Sequence, residues 1–307
     1  MDFSSYKKGT KAIWAGEDLF SVNGSATTPV VGSVAFSYND LDKWYDVATG
    51  NTEGFIYSRN TNPTVSVLEE KIRQLESGEA ATAFATGMAA ISNTLFTFLT
   101  PGKRVVSLKD TYGGTSKIFL DFLPEYNVDV KLCDTTDHEQ IEAEIAKGCD
   151  LLYLETPTNP TLKIVDIRRL VEAAKKSGAI VVVDNTFATP INQNPLVLGA
   201  DLVLHSATKF LCGHSDAMGG VLTGKKELVK KVFQFREING ASLQADPAYM
   251  IARGMKTLEL RIERQNASAL TIARYLKAHP KVTDVFYPGL ETHPGHEIAK
   301  TQMKGFG

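Results

Sequence analysis

Cysteine is scarce in this sequence. Cys133, Cys149 and Cys212 stand far apart, with no Cys-x-x-Cys pair, which argues against a disulfide framework and a structural zinc site, so no metal is expected. Cys212 lies close to Lys209 and leaves a reactive thiol open, a small buried hydrophobe being the ordinary alternative. No apolar run is long enough to span a bilayer, and the opening Met1-Asp2-Phe3-Ser4-Ser5-Tyr6-Lys7-Lys8 has no secretory apolar stretch. No membrane contact and a cytoplasmic location are therefore expected. Excess charge is missing as well: a formal net charge of -2 offers no basic stripe to nucleic acid. The pattern Gly-x-x-x-x-Gly-Lys-Ser/Thr is absent, which counts against a nucleotide-phosphate binder. There are no internal repeats or low-complexity segments.

What is present is a 307-residue chain with an apolar share of 43% and a charged share of 22%. That is the balance of a globular protein long enough for a large core and more than one domain. The first sixty residues are rich in Gly, Ser, Thr and Asn, with residues 27–38 reading as extended and 42–54 as loop or arm. Such a stretch is too poor in apolar residues to form a core, so it is expected to lie over another part of the protein or over a neighbouring subunit. A helix then begins at Pro63, capped by Asn62, carries Leu68, Ile72 and Leu75 on one face and stops at Gly78. From residue 80 strands and helices alternate. Residues 80–91 read as a short strand or turn running into an apolar helix, and strands are expected at 104–108, 128–132, 150–155, 179–184 and 201–205, with another in 217–222. Continuous aliphatic strands separated by helices indicate an α/β protein with a mostly parallel sheet covered on both faces. Helical periodicity dominates from 225 to 279, broken around 240–247, and a long helix over 257–278 is expected to lead into a smaller domain beginning at 282–286.

In such sheets ligands bind beyond the carboxyl ends of the strands. Tyr112, Asn159, Asp184 and the segment Ser206-Ala207-Thr208-Lys209 all follow strands and can line one crevice. Lys209 is the candidate nucleophile for Schiff-base chemistry; taken alone, a solvated lysine is its ordinary reading. Asp184 ends an aliphatic strand and needs a partner there. It suits a counter-ion for a protonated ring nitrogen, or a turn residue within Asp184-Asn185-Thr186. Thr86-Gly87-Met88 opens a helix whose free amides can cradle a phosphate, although small residues there also serve tight packing. Tyr57 and Arg59, alternating along an extended chain, offer a phenol and a guanidinium to an anion, a surface Arg beside a packed Tyr being the alternative.

At these residues the chain resembles the Cys/Met-metabolism family of pyridoxal-phosphate enzymes. The resemblance runs from Tyr57-Ser58-Arg59 and Asn62-Pro63-Thr64 through Gly87-Met88-Ala89-Ala90, Tyr112-Gly113-Gly114-Thr115, Glu155-Thr156-Pro157-Thr158-Asn159-Pro160, Val183-Asp184-Asn185-Thr186 and His205-Ser206-Ala207-Thr208-Lys209 to Tyr287-Pro288-Gly289-Leu290. It implies a fold-type-I architecture with an N-terminal arm over 1–60, a cofactor-binding domain over 61–246, and a connecting helix with the start of a C-terminal domain over 247–307. It implies that Lys209 holds pyridoxal 5'-phosphate and shuttles protons, Asp184 pairs with the ring nitrogen, and Tyr112 stacks on the ring. Gly87, Met88, Ser206 and Thr208 would hold the phosphate, and Asn159 would lie near the ring hydroxyl and substrate carboxylate. Tyr57 and Arg59 would reach the neighbouring subunit's cofactor, which implies a dimer within a tetramer.

The activity implied is γ-replacement or γ-elimination on an amino acid, of the cystathionine γ-synthase or γ-lyase type. The alternatives are an O-acylhomoserine sulfhydrylase or methionine γ-lyase, and, from another class, a non-catalytic protein that holds the cofactor. Methionine γ-lyases usually carry Cys two residues after the stacking Tyr, where this chain has Gly114. Many cystathionine-handling members have an acid before the phosphate-binding Tyr and an Arg after the stacking Tyr, where this chain has Ile56 and Lys117. Family chains also continue past position 307 and place there an arginine for the substrate α-carboxylate. The sequence is thus expected to be a partial chain or to bind substrate poorly.

Overall fold

The computed structural model describes residue 3, residues 5–22 and residues 24–307. Met1, Asp2, Ser4 and Asn23, part of the expected arm, lie outside the described residues. Seven strands form one sheet: β1 (Ala80–Phe84), β2 (Arg104–Leu108), β3 (Asp129–Cys133), β4 (Leu151–Glu155), β5 (Ile180–Asp184), β6 (Leu202–Ser206) and β7 (Gly220–Gly224). Their order is β1-β7-β6-β5-β4-β2-β3. All pairs are parallel except those made by β7, which runs against both β1 and β6. The carboxyl ends of the other six strands therefore share one edge of the sheet.

Alternate residues along each strand face opposite layers. Tyr153, Val182, Leu202, Leu204 and Leu222 pack with helix Gly87–Phe98 and helix Lys226–Asn239. Leu152, Leu154, Val181 and Val183 pack on the other face with helices His138–Ala146 and Ile167–Ser177. With both faces covered, the strands read as unbroken aliphatic runs, which is why the sequence displays them so clearly. The expected boundaries shift slightly: β3 lies one residue later than 128–132, and β7 begins at Gly220, after 217–219.

Helix Pro63–Glu76 starts as expected, with the Asn62 side chain accepting from the Thr64 amide. It ends at Glu76, two residues before Gly78, because Ser77 takes the left-handed conformation at φ 63. The helical region splits into Lys226–Asn239, Ala245–Met255 and Leu258–Lys277. Pro247 falls in the first turn of the second of these, where its missing amide would have had no helical partner.

Two local expectations are corrected. Residues 42–54 do not form only a loop: Leu41–Ala48 is a helix, its start fixed by the Asp40 carboxylate accepting from the Asp42 and Lys43 amides. It buries none of its residues, and Leu41 and Tyr45 are exposed, so its apolar face is too short to give a sequence signal. Residues 57–61 turn instead of running extended, since the Asn60 and Thr61 amides both donate to the Tyr57 carbonyl. Beyond the long helix, Tyr287 and Leu290 pack with its Ala273, and Met303 packs with Ile164 and Ala188. The arm also splits: helix Lys8–Trp14 buries Ala12 against the core, while residues around 33–52 remain largely exposed. No helix among the described residues is long and apolar enough to cross a membrane.

Candidate active site

Of the residues singled out by sequence, Tyr112, Asp184, Gly87, Met88 and Ser206 meet at the shared carboxyl edge of the sheet, linked in a closed ring. Asp184 ends β5, and its Oδ1 accepts from the Thr186 amide at 3.0 Å. The Thr186 hydroxyl in turn accepts from the Ser206 amide at the end of β6, at 2.8 Å. Ser206 abuts Gly87: a β-carbon placed on that glycine would fall 2.7 Å from the Ser206 β-carbon, so only glycine allows this approach. Beside Gly87, Met88 reaches Gly114, where an added β-carbon would lie 2.7 Å from the Met88 sulfur and 3.0 Å from a Tyr112 ring carbon. The Tyr112 amide donates at 2.8 Å to Glu155 Oε2. Glu155 closes the ring, because it is the direct cross-strand neighbour of Asp184.

Helix Gly87–Phe98 presents its N-terminus to this ring. Its cap, Thr86, satisfies the Ala89 amide through its hydroxyl. The Gly87 and Met88 amides, in the first turn, lack helical acceptors and carry the positive end of the helix dipole. Together with the Ser206 hydroxyl they make a cradle suited to an anion. The Thr208 hydroxyl is held by the Gly219 backbone, donating to its carbonyl at 3.2 Å and accepting from its amide at 3.1 Å.

Asp184 is buried and pairs with no lysine or arginine among the described residues. Its other oxygen accepts from the Tyr153 hydroxyl at 3.3 Å. Burial pushes its carboxyl upward from the ordinary range, against the opposing pull of the Thr186 hydrogen bonds, His205 and Tyr153. Glu155 is raised too, first by burial and then by the Asp184 charge beside it. Tyr153, buried between these acids, is pushed well up by burial and by their charges. Two adjacent buried carboxyl groups with no cation are costly when ionised, and a protonated ring nitrogen at Asp184 would supply the missing positive charge.

Lys209 lies in the turn after β6, its amide donating to the Ser206 carbonyl at 3.2 Å. Its side chain is exposed and makes no hydrogen bond or ion pair among the described residues. Tyr112 is 48% exposed, which leaves its ring free to take a ligand face. Asn159 sits exposed in the loop after β4, its backbone amide turned to the Glu155 carboxylate. Tyr57 and Arg59 stay together, with the guanidinium 5.5 Å from the phenol ring centroid. Both are exposed, and no hydrogen bond or ion pair ties their side chains to the ring of residues above among those described. Cys212 is buried, donates to Asp216 at 3.3 Å and has its thiol pushed up by burial, so it is the small buried hydrophobe and no reactive thiol.

Sequence reasoning passed over four contributors. Thr186 and Glu155 lie inside quoted motifs, but their hydrogen bonds to backbone from other strands have no sequence signature. Tyr153 looks like an ordinary strand aromatic. Glu76, fully buried, accepts from Asn185 at 2.7 Å and Asn194 at 3.0 Å and pairs with His205 at 2.8 Å. It thereby ties the residue after Asp184 to β6 and to the segment around Asn194. A carboxylate in the last turn of a helix opposes the helix dipole, and that misfit was the available signal.

A cationic aromatic aldehyde bearing a phosphate fits this set: a phosphate cradle, a buried carboxylate without a cation, a free amine and an exposed phenol ring. The family model for Cys/Met metabolism PLP-dependent enzymes matches residues 9–307. An L-methionine γ-lyase of Fusobacterium nucleatum subsp. nucleatum is 44% identical over 310 residues, covering 100% of this chain and 78% of the relative. A cystathionine γ-lyase of Bacillus subtilis is 43% identical over 277 residues, covering 90% and 73%. The crystal structure of a cystathionine γ-synthase from Xanthomonas oryzae pv. oryzae in complex with cystathionine superposes with a TM-score of 0.90 at 39% identity, covering 98% of this chain and 76% of that one.

Proposed function

From the premise that the chain belongs to the Cys/Met-metabolism family of pyridoxal-phosphate-dependent enzymes, we propose that it catalyses γ-replacement or γ-elimination on a homoserine- or homocysteine-derived amino acid, as a cystathionine γ-synthase or γ-lyase. The observation that carries this reading is the closed ring with its buried, cation-free Asp184. When bound, pyridoxal phosphate supplies an electron sink for charge left on carbon after proton removal.

The chain's own residues do the rest. The Gly87 and Met88 amides and the Ser206 hydroxyl hold the phosphate, with Thr208 shaping the turn beside them. Asp184 keeps a proton on the ring nitrogen, and Tyr153 and Thr186 orient its carboxylate. Tyr112 stacks on the ring and takes a proton from the incoming amine, while Asn159 orients the ring hydroxyl and the substrate carboxylate. The Lys209 amine holds the cofactor in the resting enzyme, then removes the α-proton and a β-proton of the substrate. The γ-substituent would then depart, and the unsaturated carbon skeleton left behind would either take up a thiol at the γ-carbon or leave as an imine that water hydrolyses to a 2-oxo acid and ammonia. Tyr57 and Arg59, exposed and with side chains not bonded to their own chain's ring among the described residues, serve the partner subunit's phosphate in a dimer that pairs again into a tetramer. On this reading, residues 1–60 are the arm, 61–246 the cofactor domain and 247–307 the connector and the start of a further domain. Three free, buried cysteines suit a reducing, cytoplasmic setting.

One observation favours a second reading. Ile56 places an uncharged, half-buried side chain just before Tyr57, which suits the less polar substrate of an O-acylhomoserine sulfhydrylase. Methionine γ-lyase activity is less well served, because a cysteine at Gly114 would crowd Met88 and Tyr112.

The test is incubation of the protein with O-succinylhomoserine, with and without cysteine, measuring cystathionine and 2-oxobutanoate. Cystathionine formed at the expense of 2-oxobutanoate establishes γ-replacement. 2-Oxobutanoate alone assigns elimination, and turnover only with O-acetylhomoserine and sulfide assigns the sulfhydrylase. Bound cofactor without any product identifies a non-catalytic holder. Retained turnover in Lys209→Ala contradicts the mechanism.

A further inference from the structure

Glu155 stands out at the end of β4. The four residues before it are all buried and three of them are leucines, and a carboxylate in that setting is costly unless something requires it. It is 7% exposed and has no lysine, arginine or histidine partner among the described residues. The titratable groups facing it are Asp184 from β5 and Tyr153 from its own strand. Its bonds go elsewhere. One oxygen accepts from the Tyr112 amide at 2.8 Å, in the loop after β2, and the Asn159 amide, in the loop after β4, faces the same carboxylate.

These two loops leave neighbouring strands and carry Tyr112, assigned to the ring face, and Asn159, assigned to the ring hydroxyl and substrate carboxylate. Farther out they are joined once more, by Lys163 donating at 2.9 Å to Asp110, two residues before Tyr112. A carboxylate has acceptor capacity on both oxygens, whereas a glutamine has one acceptor oxygen and an alanine none. We propose that Glu155 is a positioning residue: its carboxylate draws the backbones of Tyr112 and Asn159 together, fixing the phenol ring and the amide in one arrangement for the cofactor and substrate. The inference rests on the pyridoxal-phosphate reading of the site.

The experiment titrates pyridoxal phosphate into cofactor-free wild type, Glu155→Ala, Glu155→Gln, Tyr112→Ala and the Glu155→Ala/Tyr112→Ala double variant. It records the dissociation constant, the visible circular dichroism of the bound cofactor and, by far-UV spectrum and melt, the fold. Loss of an acceptor for buried amides predicts about tenfold weaker binding and a diminished visible signal in Glu155→Ala. Glutamine keeps one acceptor, so Glu155→Gln should lose only about threefold and keep part of the signal. The double variant should lose less than the product of the single losses, since Glu155 acts through Tyr112. Unchanged binding and signal in a folded Glu155→Ala, or losses that multiply in full, would overturn the proposal. Should the alanine variant fail to fold, Glu155→Gln decides: a visible signal identical to wild type overturns it. Wild type that binds no pyridoxal phosphate overturns the cofactor reading itself, and the inference with it; wild-type binding with unaffected variants overturns the inference alone.

Discussion

Asp184 and Glu155 show at single-residue scale what the ring is poised to do. They are neighbours across two parallel strands, both buried, both with carboxyl groups raised by burial. Without a cation, the folded protein holds protons that the unfolded chain releases. An acid raised on folding contributes stability that is present below its unfolded value and is lost as pH climbs toward its folded value. The melting temperature of cofactor-free protein should therefore fall as pH rises above the ordinary carboxylate range. In Asp184→Asn one acid is gone and the other loses its repelling neighbour, so this decline should flatten, as thermal melts from about pH 5 to about pH 8 would reveal. Parallel curves for wild type and variant would contradict the coupling. The sequence made Asp184 legible because a charged residue ends an aliphatic run just where α/β sheets bind ligands. Glu155 ends such a run too, but its partners are backbone amides, which every residue possesses, so nothing in the spelling marks them.

At the scale of elements, the site depends on how helix Pro63–Glu76 is joined to the sheet. Val65, Leu68, Ile72 and Leu75 seat its apolar face in the core, and Glu76 at its end ties Asn185, Asn194 and His205 together. Removing one member of a buried ionic and hydrogen-bonded cluster strands the others, so Glu76→Ala should cost about 3 to 5 kcal/mol in denaturant unfolding. It should also weaken cofactor binding by loosening the turn after β5; an unchanged unfolding midpoint would show the cluster to be dispensable. The strands and the long helices were legible because burial on two faces, or on one helical stripe, stamps a period on the sequence. Helix Leu41–Ala48 was not, since it buries nothing and rests on the Asp40 cap. The Tyr57 to Thr61 turn was hidden for a related reason: it is made by backbone bonds to one carbonyl, and the side chains alternate as they would in a strand.

At the scale of the whole molecule, Tyr57 and Arg59 are exposed and their side chains are not bonded to the ring among the described residues, and the proposed role of the pair is to hold the partner subunit's phosphate. If that pair serves the partner subunit, inactive Lys209→Ala and inactive Arg59→Ala proteins should complement each other after subunit exchange. Random pairing gives one native site in each mixed dimer, hence about a quarter of wild-type activity. No recovery would place Arg59 in the site of its own chain. The claim beneath all of this is that one amine in the chain carries the chemistry, and every lysine competes in the measurement that tests it. The protein is loaded with pyridoxal phosphate, reduced with borohydride, digested and mapped by mass spectrometry. The account predicts a single pyridoxyl-modified residue, Lys209, and no label there in Lys209→Ala. Label on another lysine, or scattered among many, would contradict it.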